Sequence, residues 1–324
     1  MRRRITETGS GLNKAKEAPL ERELAADLVA VLTAVTAGQP RVMTIREGDA
    51  LPSGPFQLRD RSLQSGLRAW VEQQTGHPLG YVEQLYTFAV RDLGADQASR
   101  ISISYLGLTR ESGVSRTAEA GWRNWYEYFP WEDLRAGAPP SLRRELLPRL
   151  QEWLTQAPEG ATRRARAERV AVAYGLEGLP WNEELILQRY ELLYEAGLIE
   201  EATREGRGKP SAHVPGRSML GDHRRILATG IARLRAKIKY RPVVFELMPS
   251  TFTLLQLQRA VEALAGRLVH KPNFRRLIEQ QELVEDTGAT AAEQPGRPAK
   301  LYRFRRAVLA ERAAGGTKLP LART

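Results

Sequence analysis

The sequence lacks cysteine altogether and contains only four histidines among its 324 residues. Without thiols, the chain can form neither disulfide bonds nor thiolate metal sites. The histidines are widely spaced and are interpreted as ordinary core or surface residues; they are His77, His213, His223 and His270. We therefore expect no metal centre and no required cofactor.

Long apolar runs are also missing, since none approaches the roughly twenty residues that span a bilayer. The chain starts with Met1 and three arginines, and polar sequence without a signal-type apolar core follows. We expect a cytoplasmic protein without a membrane partner, with a flexible N-terminal arm over residues 1–24 and a flexible tail over residues 311–324. The length is sufficient for about two domains.

Positive charge is concentrated in the last third of the sequence. Residues 219–324 hold 20 basic and 9 acidic residues, while the rest of the chain is balanced at 29 of each. The whole net charge of +11 therefore lies in this part. A basic balance alone is often only a solvated face, but its coincidence with the helix-turn-helix pattern described next predicts phosphate binding.

Residues 240–306 carry the patterns of a winged helix-turn-helix in the right order. Residues 242–247 are interpreted as a short apolar strand, and a first helix opens at residue 252 and ends at Gly266. Two alternating segments, residues 283–286 and 300–304, predict the hairpin that forms the wing. Candidates for the N-cap of the first helix are Ser250, Thr251 and Thr253, and its apolar face is predicted at Leu254, Leu257, Val261 and Leu264.

A second helix, which begins at Lys271 with Pro272 in its first turn, is predicted to read DNA. A recognition helix presents its N-terminal residues to base edges in the major groove, while Phe274 and Ile278 are expected to face inward. Arginine suits a contact to guanine, asparagine one to adenine, and lysine one to phosphate. The predicted DNA-binding residues of the helix, the wing and the turn are Lys271, Asn273, Arg275, Arg276, Arg297, Lys300, Arg267 and His270.

Two alternatives compete with this interpretation. A winged helix can bind protein rather than DNA, in which case binding to duplex would not depend on salt. Single arginines of the second helix can instead pair with Glu279 or Glu282 on the same helix.

The N-terminal part predicts a β-rich domain with one amphipathic helix. A tight Pro/Gly loop is expected over residues 51–55, before a helix over residues 62–74 that Gly76 closes. A helix is also predicted over residues 181–196 and a loop over residues 203–217. Strands are predicted over residues 25–35, 41–46, 81–88 and 101–109.

This order resembles the Nudix fold, an α/β/α sandwich. Residues 67–76, which read LRAWVEQQTG, align with the end of the Nudix box, where an Arg-Glu pair and an apolar residue precede Glu-Glu-x-Gly. Several family residues are replaced here: the pair by Ala69 and Trp70, the two metal-binding glutamates by Gln73 and Gln74, and an earlier glutamate by Arg61. Amides have no charge with which to hold magnesium or activate water, so we expect no hydrolysis. The alternatives are an accidental likeness and an active hydrolase with a regulatory winged helix.

A Nudix-like domain followed by a winged helix is similar to the Nudix-related transcriptional regulators of NAD metabolism, the NrtR group, and most of all to the larger NadQ-type regulators. Residues 245–254 (FELMPSTFTL), 271–276 (KPNFRR) and 296–302 (GRPAKLY) carry the likeness in the C-terminal part. Residues 79–88 (LGYVEQLYTF), 126–132 (YEYFPWE) and 179–185 (LPWNEEL) extend it over most of the chain.

The resemblance implies an α+β protein with a Nudix-like sensing and dimerisation domain over residues 25–240, helical over 160–240, and a winged helix domain over 241–310. It further implies a bacterial, nucleoid-associated homodimeric repressor. This repressor would bind a palindromic double-stranded operator of NAD biosynthesis or salvage genes. The altered Nudix domain would sense an adenine nucleotide, namely ADP-ribose, NAD or ATP. The sequence leaves open whether this nucleotide releases or promotes DNA binding.

Two features of the N-terminal part leave alternatives open. A helix over residues 222–239 carries an apolar stripe, Leu227, Ile231, Leu234 and Ile238, that fits a dimer seam, a cap on the core, or both at once. Aromatic residues between 122 and 131 form either core or a stacking wall. Groups able to pair a phosphate or stack an adenine, each with a core role as its alternative, are Arg46, Phe56, Tyr86, Phe88 and Tyr105.

Overall fold

The computed structural model describes residues 25–57, 60–77, 79–90, 100–111, 120–291 and 298–308. The predicted N-terminal arm and C-terminal tail, and also Arg297, lie outside these residues. Within the described ranges, no helix combines the length and apolar character needed to cross a membrane.

A six-stranded sheet forms the centre of the N-terminal half. Its strands are β1 (Ala25–Thr36), β2 (Gln39–Thr44), β3 (Ser53–Pro55), β4 (Tyr81–Val90), β5 (Arg100–Leu108) and β6 (Gly121–Asn124). The order is β4-β5-β1-β2-β6, with β3 also paired to β1. β1 runs parallel to β5, and the other pairs are antiparallel. The predicted loop at residues 51–55 is therefore partly wrong, because the backbone of β3 hydrogen-bonds to β1.

Helix α1 (Leu63–Thr75) covers one face of this sheet. The side chain of Ser62 accepts a hydrogen bond from the Ser65 N–H, and Gly76 ends the helix with a φ of 70°, so both predicted boundaries hold within a residue. Alternate residues of β1 such as Leu28 pack against Leu67 on this side. The opposite face of β1 contributes to a second, larger core.

Five further helices follow the sheet: α2 (Leu147–Thr155), α3 (Ala161–Tyr174), α4 (Ile186–Glu195), α5 (Glu200–Arg204) and α6 (His223–Lys237). α6 lies on the second sheet face, where a Cβ at Gly230 would come within 2.8 Å of Val31. Leu227, Ile231 and Leu234 of α6 are at most 1% exposed and belong to the core of the chain itself. The apolar stripe therefore caps the Nudix-like core.

Two sequence predictions in this helical region were partly wrong. The helix predicted from residue 181 begins at Ile186, because Asn182 caps a short 3-10 turn, Glu183–Leu185, instead. The predicted loop over 203–217 overlaps the end of α5. The aromatic residues Trp125, Tyr128 and Trp131 are fully buried, so this segment is core rather than a stacking wall.

The C-terminal domain consists of α7 (Leu254–Ala265), α8 (Lys271–Gln280), β7 (Val284–Ala291) and β8 (Ala299–Phe304). Thr253 and Gln256 form a reciprocal capping box at the start of α7, and Gly266 ends it with a φ of 71°. The hairpin of β7 and β8 is the predicted wing. The strand predicted over residues 242–247 was wrong, since Val243–Leu247 forms a 3-10 helix whose apolar residues are buried.

Candidate nucleic-acid interface

Helix α8 is anchored by two apolar side chains and exposes a basic face. Ile278 is buried and Phe274 is half-buried in the core of the chain, as predicted. At 3.6 residues per turn, Arg276 lies opposite these two, with Asn273 and Arg275 on its flanks. All three of these polar residues are exposed, and Lys271 is exposed at the start of the helix.

The exposed arginines of α8 have no acidic partner among the residues that the structure describes. Glu282, one of the two proposed partners, instead pairs with Arg305 at 3.3 Å. The alternative in which Arg275 or Arg276 is neutralised on its own helix is therefore not observed. Their guanidinium groups project into solvent with their donors available to a ligand.

The flanking residues differ in how far they are engaged. Arg267 lies 3.3 Å from Glu183 of the N-terminal half, and Lys300 lies 2.8 Å from Asp286 on the neighbouring wing strand. Both basic side chains remain more than half exposed. His270 precedes α8, is exposed and makes no side-chain cap. α8 thus presents an exposed basic face, and the wing carries the exposed but ion-paired Lys300. Arg267 also joins the two halves of the chain.

The helix that aligns with the Nudix box is tied to strand β3 by hydrogen bonds of the side chains of Gln74 and Trp70. The amide of Gln74 accepts a hydrogen bond from Ser53 N at 3.0 Å and donates one to Ser53 O at 2.7 Å. The indole of Trp70 donates to Pro55 O at 2.9 Å and covers Gly54, where a Cβ would lie less than 3.0 Å from the ring. Trp70 and Gln74, which replace two residues of the Nudix box, therefore have structural roles.

These residues do not fit the magnesium ions that Nudix hydrolases use. Mg²⁺ requires oxygen ligands and favours carboxylates. Gln73 is an exposed amide, and both ends of the Gln74 amide are occupied by Ser53. Among the described residues, no group of three or more acidic or histidine side chains is arranged to hold a metal.

The comparison with known families decides the identity of the C-terminal domain. Residues 244–304 match the model of the NrtR DNA-binding winged helix domain. The C-terminal domain is an NrtR-type winged helix. A curated relative, the ADPR responsive transcriptional repressor NtrR of Acinetobacter baylyi, is 39% identical over 83 residues, which are 26% of this chain. The matched segment spans 33% of the length of that relative.

Solved structures extend the likeness to the whole fold. NrtR of Shewanella oneidensis in complex with a 27mer DNA has a TM-score of 0.53 at 19% identity, covering 88% of this chain and 95% of its own. A MutT/nudix family protein from Enterococcus faecalis has a TM-score of 0.51 at 16% identity, with 90% of each chain covered. The predicted combination of a Nudix-like domain and an NrtR-type winged helix is confirmed.

The five predicted ligand residues lie at several places in the Nudix-like domain. Tyr105 is 1% exposed in the core beneath α1, and Phe56 packs at the edge of that core. Phe88 belongs to the core on the opposite face, and Tyr86, which is 61% exposed, contacts it edge-on with ring centroids 5.0 Å apart. Arg46 is exposed after β2. Their binding role stays a prediction.

Arg46 lies in a strained turn that the sequence did not reveal. Arg46 and Glu47 have φ values of 52° and 57°, although neither is glycine, and such strain is stored mainly at functional sites. Arg123 and Arg217 both donate to the Glu47 carbonyl, and Tyr128 donates to Gly48 O at 2.6 Å. The strained turn, residues 46–48, is thus held by three side chains from distant positions.

A buried ionic cluster joins the Nudix-like domain to the NrtR-type winged helix. Glu132 accepts hydrogen bonds from Arg189 of α4 and Arg235 of α6, and all three side chains are fully buried. Arg235 also donates to Leu264 O of α7 at 2.9 Å. We refer to Glu132, Arg189 and Arg235 as the Glu132 cluster.

The charges of the Glu132 cluster are balanced by backbone as well as by side chains. Burial would raise the pKa of Glu132, but the guanidinium groups of Arg189 and Arg235 hold this pKa below its ordinary value. Arg189 also donates to the carbonyl oxygens of Ala173 and Asn182, and Arg235 donates to those of Glu183 and Leu264. One sequence signal pointed here: Arg235 follows Ile231 by four residues and so shares the buried face of α6.

Proposed function

We propose that the protein is a transcriptional repressor that binds double-stranded DNA through α8 and the wing, under the control of an adenine nucleotide bound in its Nudix-like domain. The observation that carries this proposal is the exposed face of Asn273, Arg275 and Arg276 on the recognition helix of an NrtR-type winged helix. Guanidinium groups without acidic partners in the described structure are available for guanine edges and phosphates.

The name of the Acinetobacter relative, an ADPR responsive repressor, supports ADP-ribose as the effector, ahead of NAD and ATP. The proposed operator is a palindrome upstream of NAD biosynthesis or salvage genes, bound by a homodimer in the bacterial cytoplasm and nucleoid. The chain is divided into a sensing part over residues 25–240 and a DNA-binding part over residues 241–310. Arg46, Phe56, Tyr86, Phe88 and Tyr105 are the proposed ligand contacts.

The Nudix-like domain is proposed to sense its nucleotide without hydrolysing it. Gln73 and Gln74 offer no negative charge to a magnesium ion, and the Gln74 amide is engaged with the backbone of β3. The competing function is an active pyrophosphohydrolase. It requires magnesium-dependent release of ribose phosphate or AMP from ADP-ribose or NAD.

A gel-shift titration tests the proposal directly. The probe is duplex DNA from upstream of NAD-biosynthesis genes of the source organism, with and without ADP-ribose, NAD or ATP. Since each lost base or phosphate contact weakens binding severalfold or more, the Arg275→Ala/Arg276→Ala protein should bind at least about 30-fold more weakly. Arg143→Ala/Arg144→Ala is the matched control, because these two adjacent arginines are also exposed but belong to the N-terminal half.

Three results separate the candidate functions. Specific binding that the α8 variant loses, the control keeps and one nucleotide changes supports the ligand-gated repressor. An absence of any specific shift, or equal loss in both variants, would reject it. Magnesium-dependent release of ribose phosphate or AMP from ADP-ribose by the wild-type protein would show that the Nudix-like domain is an enzyme rather than a sensor.

A further inference from the structure

The end of α7 and the turn that leads to α8 are held by side chains and backbone of the Nudix-like domain. We propose that Tyr126 and the Glu132 cluster position this turn and transmit the ligand state of the Nudix-like domain to the recognition helix. This inference rests on the proposed function, because it assumes that nucleotide binding changes DNA binding.

The first observation is that the N-terminal half satisfies the C-terminal carbonyls of α7. The last carbonyl groups of a helix have no partner within it. Tyr126 donates its hydroxyl to Ala263 O at 2.7 Å, and Arg235 donates to Leu264 O at 2.9 Å. The backbone N–H of Leu134 donates to Gly266 O at 2.7 Å. The helix-turn-helix turn therefore follows any movement of residues 126–134.

The second observation is that the contact between the Glu132 cluster and the end of α7 cannot loosen gradually. A buried charge that loses its partner is strongly destabilising, so Glu132, Arg189 and Arg235 must move together or stay together. Gly266 also fits directly against Glu132, since a Cβ there would lie less than 3.0 Å from the Glu132 carbonyl oxygen. Close-packed interfaces of this kind switch between discrete arrangements rather than deforming continuously.

The third observation is that the same segment reaches the strained turn in the Nudix-like domain. Two residues after Tyr126, Tyr128 donates to Gly48 O, next to Arg46 and Glu47 with their positive φ values. Arg224 of α6 donates to Tyr128 O at 2.6 Å. Residues 126–134 thus contact, within one short stretch, both the strained turn, through Tyr128, and the end of α7 with the turn that follows it, through Tyr126 and Leu134.

The variant Tyr126→Phe tests the inference, because it deletes only the hydroxyl, which donates to Ala263 O at 2.7 Å and accepts a long hydrogen bond from Arg235 at 3.5 Å. Glu132→Gln is avoided, since it leaves two buried guanidinium groups without a counter-charge and endangers folding. The matched control is Tyr194→Phe, which removes a hydroxyl bonded to Glu205, away from the winged helix. The measured quantity is the ratio of DNA dissociation constants with and without ADP-ribose.

We expect Tyr126→Phe to reduce this ratio by about two- to tenfold, as fits the loss of the hydrogen bond to Ala263 O together with the long one from Arg235. Its dissociation constant for ADP-ribose, measured by calorimetry, should stay at the wild-type value, and Tyr194→Phe should keep the wild-type ratio. A Tyr126→Phe protein with the wild-type ratio, or an equal loss in Tyr194→Phe, would overturn the inference. A role confined to fold stability would change the thermal midpoint without changing the ratio.

Amide hydrogen exchange separates this failure from failure of the proposed function. ADP-ribose should alter exchange at residues 263–276 of the wild-type protein and less so in Tyr126→Phe. If the nucleotide protects the Nudix-like domain and changes DNA affinity but leaves residues 263–276 unaffected, the coupling role is wrong and the repressor function stands. If it changes neither exchange nor DNA affinity, nucleotide sensing itself is rejected, and the coupling role with it.

Discussion

Replacement of Gly266 by alanine should be among the most damaging single-methyl additions to this protein. Gly266 has a φ of 71°, a conformation that L residues with a side chain adopt at a cost. The new Cβ would also lie less than 3.0 Å from the Glu132 carbonyl oxygen and 2.9 Å from the Tyr126 hydroxyl. The first of these neighbours is backbone and cannot rotate away.

A second glycine separates the cost of the backbone conformation from the cost of the steric clash. Gly206 has a similar φ of 79°, but a Cβ there would meet no atom within 4 Å. Gly206→Ala therefore carries only the left-handed strain, about 1–2 kcal/mol. Gly266→Ala adds an overpacking term of about 1–3 kcal/mol, for a total loss of about 2–5 kcal/mol in the free energy of unfolding.

Urea unfolding followed by circular dichroism measures both variants against the wild type. We expect the midpoint of Gly266→Ala to lie clearly below that of Gly206→Ala, and its affinity for operator DNA to fall as well. Equal midpoints for the two variants would refute the argument, since they would mean that the turn after α7 is not packed against Glu132.

Three further predictions concern the Nudix-like domain. Gln74→Glu should destabilise the fold by about 1–3 kcal/mol, because a carboxylate cannot donate to Ser53 O; urea midpoints measure this loss. The variant should also not gain magnesium-dependent hydrolysis, measured as AMP release, and a gain of turnover would contradict the prediction. Burial, with a contribution from Arg46, lowers the pKa of His223 to about 4. Because the unfolded state then takes up a proton at a higher pH than the folded state, the free energy of unfolding should be highest above about pH 6.5 and fall by up to about 3 kcal/mol as the pH drops towards 4. His223→Asn, which keeps an acceptor for the Leu51 N–H, should flatten this dependence in urea titrations, and an unchanged slope would argue against it. Leu227→Ala should lower the free energy of unfolding by about 2–5 kcal/mol, and this loss should be the same at every protein concentration. A loss that grows on dilution would instead indicate that α6 forms a dimer interface.

Local signals explain why much of the fold could be predicted. Ser62, Thr253, Gly76 and Gly266 define helix ends through their own backbone and side-chain chemistry, so their effect is visible in a few neighbouring residues. The inward positions of Phe274 and Ile278 on α8 followed from helical periodicity in the same way. The exposed basic residues of α8 could be predicted because a recognition helix needs only one face for packing.

The errors have an equally physical origin. A short apolar run such as residues 242–247 does not distinguish a strand from a buried 3-10 helix, because both bury nearly every side chain. The Glu132 cluster joins residues more than 50 positions apart, and no local pattern links Glu132 to Arg189 or Arg235. The strain at Arg46 and Glu47 depends on contacts from Arg123 and Arg217, which the sequence cannot pair with them.

The contacts at the end of α7 also determine how the protein can be dissected. A fragment that contains only the winged helix would leave the carbonyls of Ala263 and Leu264 without Tyr126 and Arg235. A fragment that contains only the Nudix-like domain would lose the Leu264 acceptor of a fully buried arginine and uncover the apolar surface beneath α7. The winged helix domain is therefore not an interchangeable module, and chimaeras with other proteins should retain residues 126–134, α4 and α6 together with it.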